Sequence, residues 1–212
     1  MTRPDLEFWF EYGSTYTYLT VARIDAVTQA RGISTAWRPF LLMPIMIDQG
    51  MPQGPFLPYP AKARYMWRDL ERRSQRYGIA YQRPSMYPPP NTLLPARIGC
   101  LAQQGGWCAA FTKEVFRLHW TENLIIGTEE NIRRSLESLG KDVAATLKAA
   151  QADNNKQALR LQTEKAKTLG IFGSPTFIVG DELFWGDDRL EDALDFAESA
   201  SGDDGRLANI KR

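Results

Sequence analysis

The chain is poor in the residues that build metal centres and disulfide frameworks. Its 212 residues include one histidine, His119, and two cysteines, Cys100 and Cys108. A metal site is not expected, because the sequence has no group of histidine and thiol ligands close together. The two cysteines lie in one predicted helix, at a separation of roughly 12 Å along its axis, which is too long for a disulfide. We therefore expect reduced, structural thiols and a cytoplasmic location.

The chain also lacks an excess of charge of either sign and lacks a long apolar segment. Its formal net charge is +1 at pH 7, so there is no electrostatic case for binding to nucleic acid or to an anionic membrane. No apolar run is long enough to span a membrane, and the first residues do not have the pattern of a signal peptide. Because 43% of the residues are hydrophobic and 24% are charged, we expect an ordinary globular protein with a substantial core.

What the sequence does contain is the order of elements of an α/β protein. The predicted elements are, in chain order, strand 5–12, helix 15–30, strand 34–42, a proline-rich loop over 43–60, helices 61–78, 92–118, 128–138, 141–152 and 154–169, strands 175–180 and 181–185, and helix 188–199. The first strand, helix and strand imply a parallel pair with a right-handed crossover. The last two strands form a predicted hairpin that turns at Gly180-Asp181.

The middle of the chain shows no alternation typical of strands, so we interpret residues 61–153 as an all-helical insertion. Its removal leaves β-α-β followed by α-β-β-α, which is the order of a thioredoxin-like core. Residues 1–60 and 154–200 are then the two parts of that domain, and 201–212 are a polar tail. The predicted fold class is α/β, a thioredoxin-like core with a large helical insertion.

The stretch FEYGSTYTYL, residues 10–19, marks the first junction of strand and helix. Many thiol redox proteins have Cys-x-x-Cys at such a junction, where the helix dipole and free N–H groups stabilise a thiolate. Here the two positions hold Ser14 and Thr17. A site that favours a thiolate but has no sulfur of its own suits a thiol that arrives with a small molecule, and glutathione is the obvious cytoplasmic candidate. The alternative is that Ser14 only caps the helix.

A second candidate site is the segment Gly173-Ser174-Pro175, where a proline opens a predicted strand. A cis bond before Pro175 would turn the backbone N–H and C=O of Ser174 outward, where a peptide-like ligand could pair with them. The alternative is a trans proline at a strand start, where proline is tolerated.

The remaining candidates are charged or amide side chains near predicted helix starts. Asp187 and Asp188 precede the last helix and could bind an ammonium group, or simply cap that helix, for which Gly186 is the other candidate. Lys62 and Arg64 follow the proline-rich loop and could bind a ligand carboxylate, or belong to a solvated helix face. Asn91 could contact a substrate, or cap the next helix.

Several segments, taken together and in this order, resemble the 2-hydroxychromene-2-carboxylate isomerase family. They are FEYGSTYTYL, AKARYMWRDLERRSQRYGI, Pro-x-Asn-Thr before a helix, FRLHW and GIFGSPTFIVGDELFWGDDRL, and they cover about residues 6–198. That family is grouped with the kappa-class glutathione transferases, within the thioredoxin-like disulfide oxidoreductases. The resemblance implies a glutathione-dependent enzyme of aromatic compound degradation that forms a homodimer.

The resemblance also implies roles for individual residues. It suggests that Ser14 holds the glutathione sulfur and that Ser174, before Pro175, pairs with the glutathione backbone. It further suggests that Asp187 and Asp188 bind the γ-glutamyl end. By the same resemblance Lys62 is a glutathione ligand.

These inferences predict a glutathione-dependent cis-trans isomerase of an aromatic catabolite, with Ser14 as the catalytic residue. In this scheme Asn91 and Arg64 are candidates to hold the substrate. Two alternatives stay open: a kappa-like transferase that conjugates glutathione to electrophiles, and a non-catalytic binding protein of thioredoxin fold. A dithiol oxidoreductase is disfavoured, because neither Ser14 nor Thr17 can form a disulfide.

Overall fold

The aromatic strand near the N-terminus lies in the middle of a four-stranded sheet. The computed structural model describes residues 5–202 and gives the strand order β2-β1-β3-β4. The strands are β1 (Leu6–Phe10), β2 (Thr35–Pro39), β3 (Thr176–Val179) and β4 (Glu182–Trp185). Strand β1 pairs parallel with β2 and antiparallel with β3, and β3 and β4 form the predicted hairpin.

The helices account for most of the remaining described chain. They are α1 (Thr15–Val21), α2 (Ile24–Ala30), α3 (Leu42–Asp48), α4 (Pro60–Tyr77), α5 (Leu93–Gln104), α6 (Cys108–Glu122), α7 (Glu129–Ser138), α8 (Val143–Ala150), α9 (Asp153–Thr168) and α10 (Leu190–Gly202). Helices α3 to α9 separate β2 from β3, which confirms the predicted α/β class with a helical insertion. The exact domain boundaries stay a prediction.

Strand β1 is apolar on both of its faces because both faces of the sheet are covered. Phe8 and Phe10 point to one side, where they pack in the larger core with Trp37 and Phe177. Trp9 points to the other side and packs with Phe40 in a smaller core. Alternate residues of a strand face opposite ways, so a strand that is buried twice has apolar residues at successive positions.

The predicted helix over 15–30 is wrong in one respect, since it is two helices. The chain breaks at Ala22 and Arg23, and Arg23 has φ −131° and ψ −17°. The Arg23 guanidinium turns back over the Tyr77 ring, 4.3 Å from its centroid, and pairs with Glu191. It also donates to the main-chain carbonyl of Asp187 at 2.7 Å. The break therefore serves a contact with α4 and the start of α10, far away in sequence.

The prediction of a loop over 43–60 is also wrong at its beginning. Strand β2 ends at Pro39, and α3 begins at Leu42. Leu42 and Ile45 are buried in the smaller core with Trp9, so packing stabilises this short helix. Pro44 lies in its first turn, where the missing N–H has no partner to lose.

The long predicted helix over 92–118 is interrupted as well. It ends at Gln104 and restarts at Cys108, with Gly106 between them at φ +75°, a conformation that favours glycine. Cys100 and Cys108 therefore lie on different helices, and the single-helix argument against a disulfide is wrong. Both thiols are nevertheless free and buried, and burial raises the pKa of Cys108 to about 12.

The C-terminal helix is longer than predicted and starts differently. A 3-10 turn over Asp187–Arg189 leads into α10, which reaches Gly202. Beyond that point the predicted polar tail lies outside the described residues. Within residues 5–202, no helix has the length and apolar character needed to cross a membrane.

Candidate functional site

The junction between β1 and α1 brings the first predicted site residue to a helix start. Ser14 is the N-cap of α1, with extended backbone angles (φ −78°, ψ 124°), and its hydroxyl oxygen accepts from the Thr17 N–H at 3.4 Å. The same hydroxyl donates to the Ser174 main-chain carbonyl at 2.7 Å. Ser14 is thus a cap, as the simpler reading predicted, and it also joins the second candidate site.

The second candidate site lies directly beside the first. The Ser174–Pro175 peptide bond is cis, which decides between the two alternatives that the sequence left open. The Ser174 hydroxyl accepts from the Glu11 N–H at 2.9 Å and shares a 2.8 Å hydrogen bond with the Thr17 hydroxyl. The prediction that the Ser174 carbonyl points outward without a partner is wrong, because the Ser14 hydroxyl binds it.

The acidic pair after β4 lies next to this cluster. The Gly186 N–H donates to the Pro175 carbonyl at 3.0 Å, which places the start of the 3-10 turn beside the cis proline. Asp188 is about half exposed, with 47% of its side chain accessible, and it lies 3.5 Å from the Arg189 guanidinium.

Asp187 differs from its neighbour because it is buried and paired. Its side chain is 3% exposed, it accepts a hydrogen bond from Arg73 Nε at 3.0 Å, and it forms an ion pair in which Arg73 Nη2 lies 2.7 Å from its Oδ2. Burial raises the pKa of Asp187 to about 6, although the Arg73 charge opposes the change. Gly186 is the N-cap of the 3-10 turn, as one of the two alternatives from the sequence had it, whereas Asp187 lies inside the turn and does not cap it.

The two predicted cations, Lys62 and Arg64, lie on the first turns of α4. Lys62 Nζ is 5.9 Å from the centroid of the Phe56 ring. Arg64 lines an open groove of about 600 Å³. Within residues 5–202, neither cation forms an ion pair with a carboxylate, so both charges are available to a ligand.

A smaller cavity of about 260 Å³ lies between α4 and the segment 83–87. Its lining residues are Phe56, Leu57, Ala63, Met66, Trp67, Arg83, Pro84, Ser85 and Tyr87. Trp67 and Arg83 line the larger groove as well, and the Arg83 guanidinium lies 4.4 Å from the Trp67 ring centroid. Aromatic walls with cations at the rim suit a flat, anionic ligand.

Asn91 lies at the start of α5, close to the first junction. Its side-chain oxygen accepts from the Leu94 N–H at 3.1 Å, as a capping residue does. Its main-chain carbonyl approaches Gly127 so closely that a Cβ there would lie 1.7 Å away. The next residue, Thr92, is in contact with Glu11 and Gly13, which brings this segment next to Ser14.

The sequence analysis missed Glu11, the carboxylate nearest to Ser14 along the chain. Glu11 is only 9% exposed, and its Oε2 accepts from the Gly13 N–H at 2.7 Å. Burial raises the pKa of Glu11 from 4.5 to about 7, although hydrogen bonds from Thr92 and from the backbone of the next turn oppose the change. A glutamate that directly follows a doubly buried strand is the signal that could have identified it, because glutamate is rarely buried without a charged partner.

The fold and this junction define a class of protein. Residues 5–197 match the family described as DsbA-like thioredoxin domain. The chain therefore belongs to the DsbA-like thioredoxin family.

Within that class, the similarities are more specific and confirm the resemblance found in the motifs. The chain is 27% identical over 186 residues to a 2-hydroxychromene-2-carboxylate isomerase of Pseudomonas putida, covering 87% of this chain and 90% of that protein. It is 26% identical to glutathione S-transferase kappa 2 of Caenorhabditis elegans, with 92% of each covered. A solved structure of a 2-hydroxychromene-2-carboxylate isomerase superposes with a TM-score of 0.80 at 28% identity, covering 93% of this chain and 94% of that one.

Proposed function

We propose that this protein is a glutathione-dependent isomerase of a small aromatic compound related to 2-hydroxychromene-2-carboxylate. The observation that carries the proposal is the 2.7 Å hydrogen bond between the Ser14 hydroxyl and the Ser174 carbonyl. It joins the two positions that the family resemblance assigns to the sulfur and to the backbone of glutathione. The similarity to relatives named 2-hydroxychromene-2-carboxylate isomerase supports the reaction class.

The donors and acceptors at this junction suit a thiolate attached to a peptide-like ligand. The Ser14 hydroxyl is a donor at the positive end of α1, where an anion is stabilised. The Ser174 carbonyl is an acceptor at the start of β3. When the ligand binds, the Ser14 hydroxyl turns from that carbonyl to the sulfur, and the carbonyl accepts from a ligand N–H instead. Each polar group keeps a partner in both states, so the exchange leaves none of them unsatisfied.

Charged groups of the 3-10 turn and of α4 are proposed to bind the ends of the tripeptide. Asp188 is exposed and suits the γ-glutamyl ammonium group. Asp187 is committed to Arg73, so its proposed role is to position the turn and the Arg73 cation beside that end. Lys62 is proposed to bind a carboxylate of glutathione.

Bound glutathione supplies a thiolate whose reversible addition to an electron-poor double bond allows rotation about that bond, with no net oxidation or reduction. Ser14 favours the ionised thiol through its hydrogen bond and its place at the helix start. Each pKa unit of that preference corresponds to about 1.4 kcal/mol. A hydroxyl at this position cannot form a disulfide with the ligand, which a cysteine could.

The substrate is proposed to lie in the cavity between α4 and the segment 83–87. The Trp67 and Tyr87 rings provide flat apolar walls that keep water away from the reacting bond. Arg64 and Asn91 are the candidates to hold the carboxylate or the other polar groups of the substrate. The cytoplasmic location and the homodimer implied by the family resemblance stay predictions.

The test is calorimetric titration of glutathione into the wild-type protein, Ser14→Ala and the control Ser138→Ala. Ser138 lies at the end of α7, where its hydroxyl only donates to the Ser135 carbonyl. We expect binding to the wild type and to the control, and at least tenfold weaker binding to Ser14→Ala. No heat with the wild type at millimolar glutathione would favour a non-catalytic binding protein.

The mass of the product separates isomerisation from glutathione transfer. An isomerase leaves the mass of the substrate unchanged, whereas a transferase raises it by one glutathione. The transferase is the second candidate because one relative is named a kappa-class glutathione S-transferase. A product of unchanged mass supports the isomerase, and a conjugate as the released product contradicts it.

A further inference from the structure

The buried carboxyl group of Glu11 has no role in the function proposed above. Glu11 directly follows β1, three positions before Ser14, and its Oε2 accepts from the Gly13 N–H at 2.7 Å. The Ser14 N–H donates to the main-chain carbonyl of the same residue at 3.3 Å. The space is tight, since a Cβ on Gly13 would lie 3.0 Å from Oε2 and 3.0 Å from the Thr92 methyl group. The carboxyl is therefore held against the turn that presents the Ser14 hydroxyl.

Within the part of the chain that the structure describes, the surroundings of this carboxyl offer dipoles but no opposite charge. The groups that face it are the Thr92 side chain at the start of α5, the Tyr12 phenol of its own turn and the Tyr87 phenol of the segment before α5. Burial raises the pKa of both phenols, so both are neutral at pH 7. Among residues 5–202, no lysine, arginine or histidine forms an ion pair with Glu11.

An anion bound at Ser14 would lie close to the Glu11 carboxylate, because only the turn over residues 11–14 separates the two. Two negative charges in a site shielded from water repel each other, and such pairs hold one proton between them. We propose that Glu11 takes up the proton that the glutathione thiol loses at Ser14, so that the carboxyl and the bound sulfur share one negative charge. The inference rests on the proposed function, because it requires that a thiol binds at Ser14.

The proton balance of this step is closed. The S–H bond of the thiol breaks, the carboxylate of Glu11 becomes a carboxylic acid, and the sulfur keeps the electron pair. No proton is exchanged with the solvent while Glu11 is ionised beforehand. At a pH where Glu11 is already protonated, the thiol proton must leave to solvent instead. Glu11 is in this scheme the proton acceptor, and Ser14 makes the hydrogen bond to the sulfur.

The experiment counts protons released on glutathione binding, by calorimetry in buffers of different ionisation enthalpy. For the wild type we expect about one proton released at pH 6 and close to none at pH 8. For Glu11→Gln at pH 8 we expect about three-quarters of a proton, because a thiol with a pKa near 8.5 is protonated to that extent in free solution. Glu182→Gln, at an exposed position on β4, is the matched control and should behave as the wild type does.

A second readout is the absorbance of the bound thiolate as a function of pH. Because Glu11 is neutral while the sulfur is ionised in this scheme, the bound thiolate should absorb at pH 6 as well as at pH 8 in the wild type, and equally in Glu11→Gln. A wild-type thiolate that appears only above pH 8 would overturn the inference. Equal proton counts for the wild type at pH 6 and pH 8 would overturn the inference even if the variant failed to fold. If the wild type does not bind glutathione, the proposed function and this inference are both overturned. If glutathione binds but the wild type and Glu11→Gln release the same number of protons at pH 8, this inference alone is overturned.

Discussion

The substitution Glu11→Gln has a predicted effect on stability that needs no ligand. The pKa of the Glu11 carboxyl is about 7 in the folded protein, against an ordinary 4.5, because burial disfavours the charged form. The folded state therefore binds more protons than the unfolded state between these pH values. Stability must fall as the pH rises through this range. This difference of about 2.5 units between the folded and unfolded pKa values corresponds to about 3 kcal/mol of unfolding free energy, at about 1.4 kcal/mol per unit.

Glutamine keeps the shape of the neutral carboxyl and cannot ionise. We expect the difference in unfolding free energy between Glu11→Gln and the wild type to grow in favour of the variant as the pH rises from 4.5 to 7. It should then stay constant up to pH 9, about 3 kcal/mol above its value at pH 4.5. Urea unfolding at a series of pH values measures this difference, and Glu182→Gln is again the control.

The pH dependence of the difference is the decisive quantity, because the substitution can also change stability by an amount independent of pH. A difference that is flat between pH 4 and pH 9 would refute the reasoning. It would mean that the carboxyl is solvated, or that a cation compensates it, in the folded protein. The wild-type curve alone is less informative, because His119 and Asp187 titrate over neighbouring ranges.

Three further predictions concern buried groups and close backbone contacts. Arg73→Met should destabilise the protein by about 3 kcal/mol at pH 8, because it leaves Asp187 buried without its cation. The loss should be smaller at pH 5, where Asp187 is protonated. An equal loss of unfolding free energy at pH 5 and pH 8, measured by urea unfolding, would contradict this. Burial lowers the pKa of His119 to about 4, so the folded state resists protonation and stability should be lost as the pH falls from 6.5 to 4. His119→Gln should remove that loss. If the variant loses as much stability as the wild type over this pH range, the loss has another source. Gly127→Ala should cost several kcal/mol of stability, since its φ is +80° and its Cβ would overlap the Asn91 carbonyl. Gly140→Ala, at φ +63° in open space, should cost about 1 kcal/mol. Equal decreases in the thermal unfolding temperature of the two variants would contradict the overlap.

The parts of the site that sequence reasoning predicted are those determined by local chemistry. Ser14 is a good N-cap wherever a strand runs into a helix, and a proline before an apolar β-rich segment indicates a strand start. A cis bond at Ser174–Pro175 was one of two alternatives that the residues left open, the family resemblance implied it, and the structure has it. The hairpin turn at Gly180 was predicted from residue type alone.

The parts that it missed depend on contacts between distant segments. Arg73 and Asp187 are 114 positions apart, and nothing near Asp187 in the sequence indicates that a cation from α4 will pair with it. Short helix α3 was missed because its proline-rich sequence favours a loop, while burial of Leu42 and Ile45 beside Trp9 stabilises a helix. The break at Arg23 has a similar origin, since its side chain reaches Glu191 in α10.

The sequence by itself determined the fold class, the cap at Ser14 and the absence of a redox cysteine pair. These depend on hydrophobic period, residue type and neighbours along the chain, all of which can be read from the letters. Only the tertiary structure decided that the Ser14 hydroxyl binds the Ser174 carbonyl and that Asp187 is paired while Asp188 is about half exposed. It also decided that Glu11 is buried with no cation paired to it among residues 5–202. Burial and charge compensation are properties of the packed chain, because they depend on which distant elements exclude water from a given side chain.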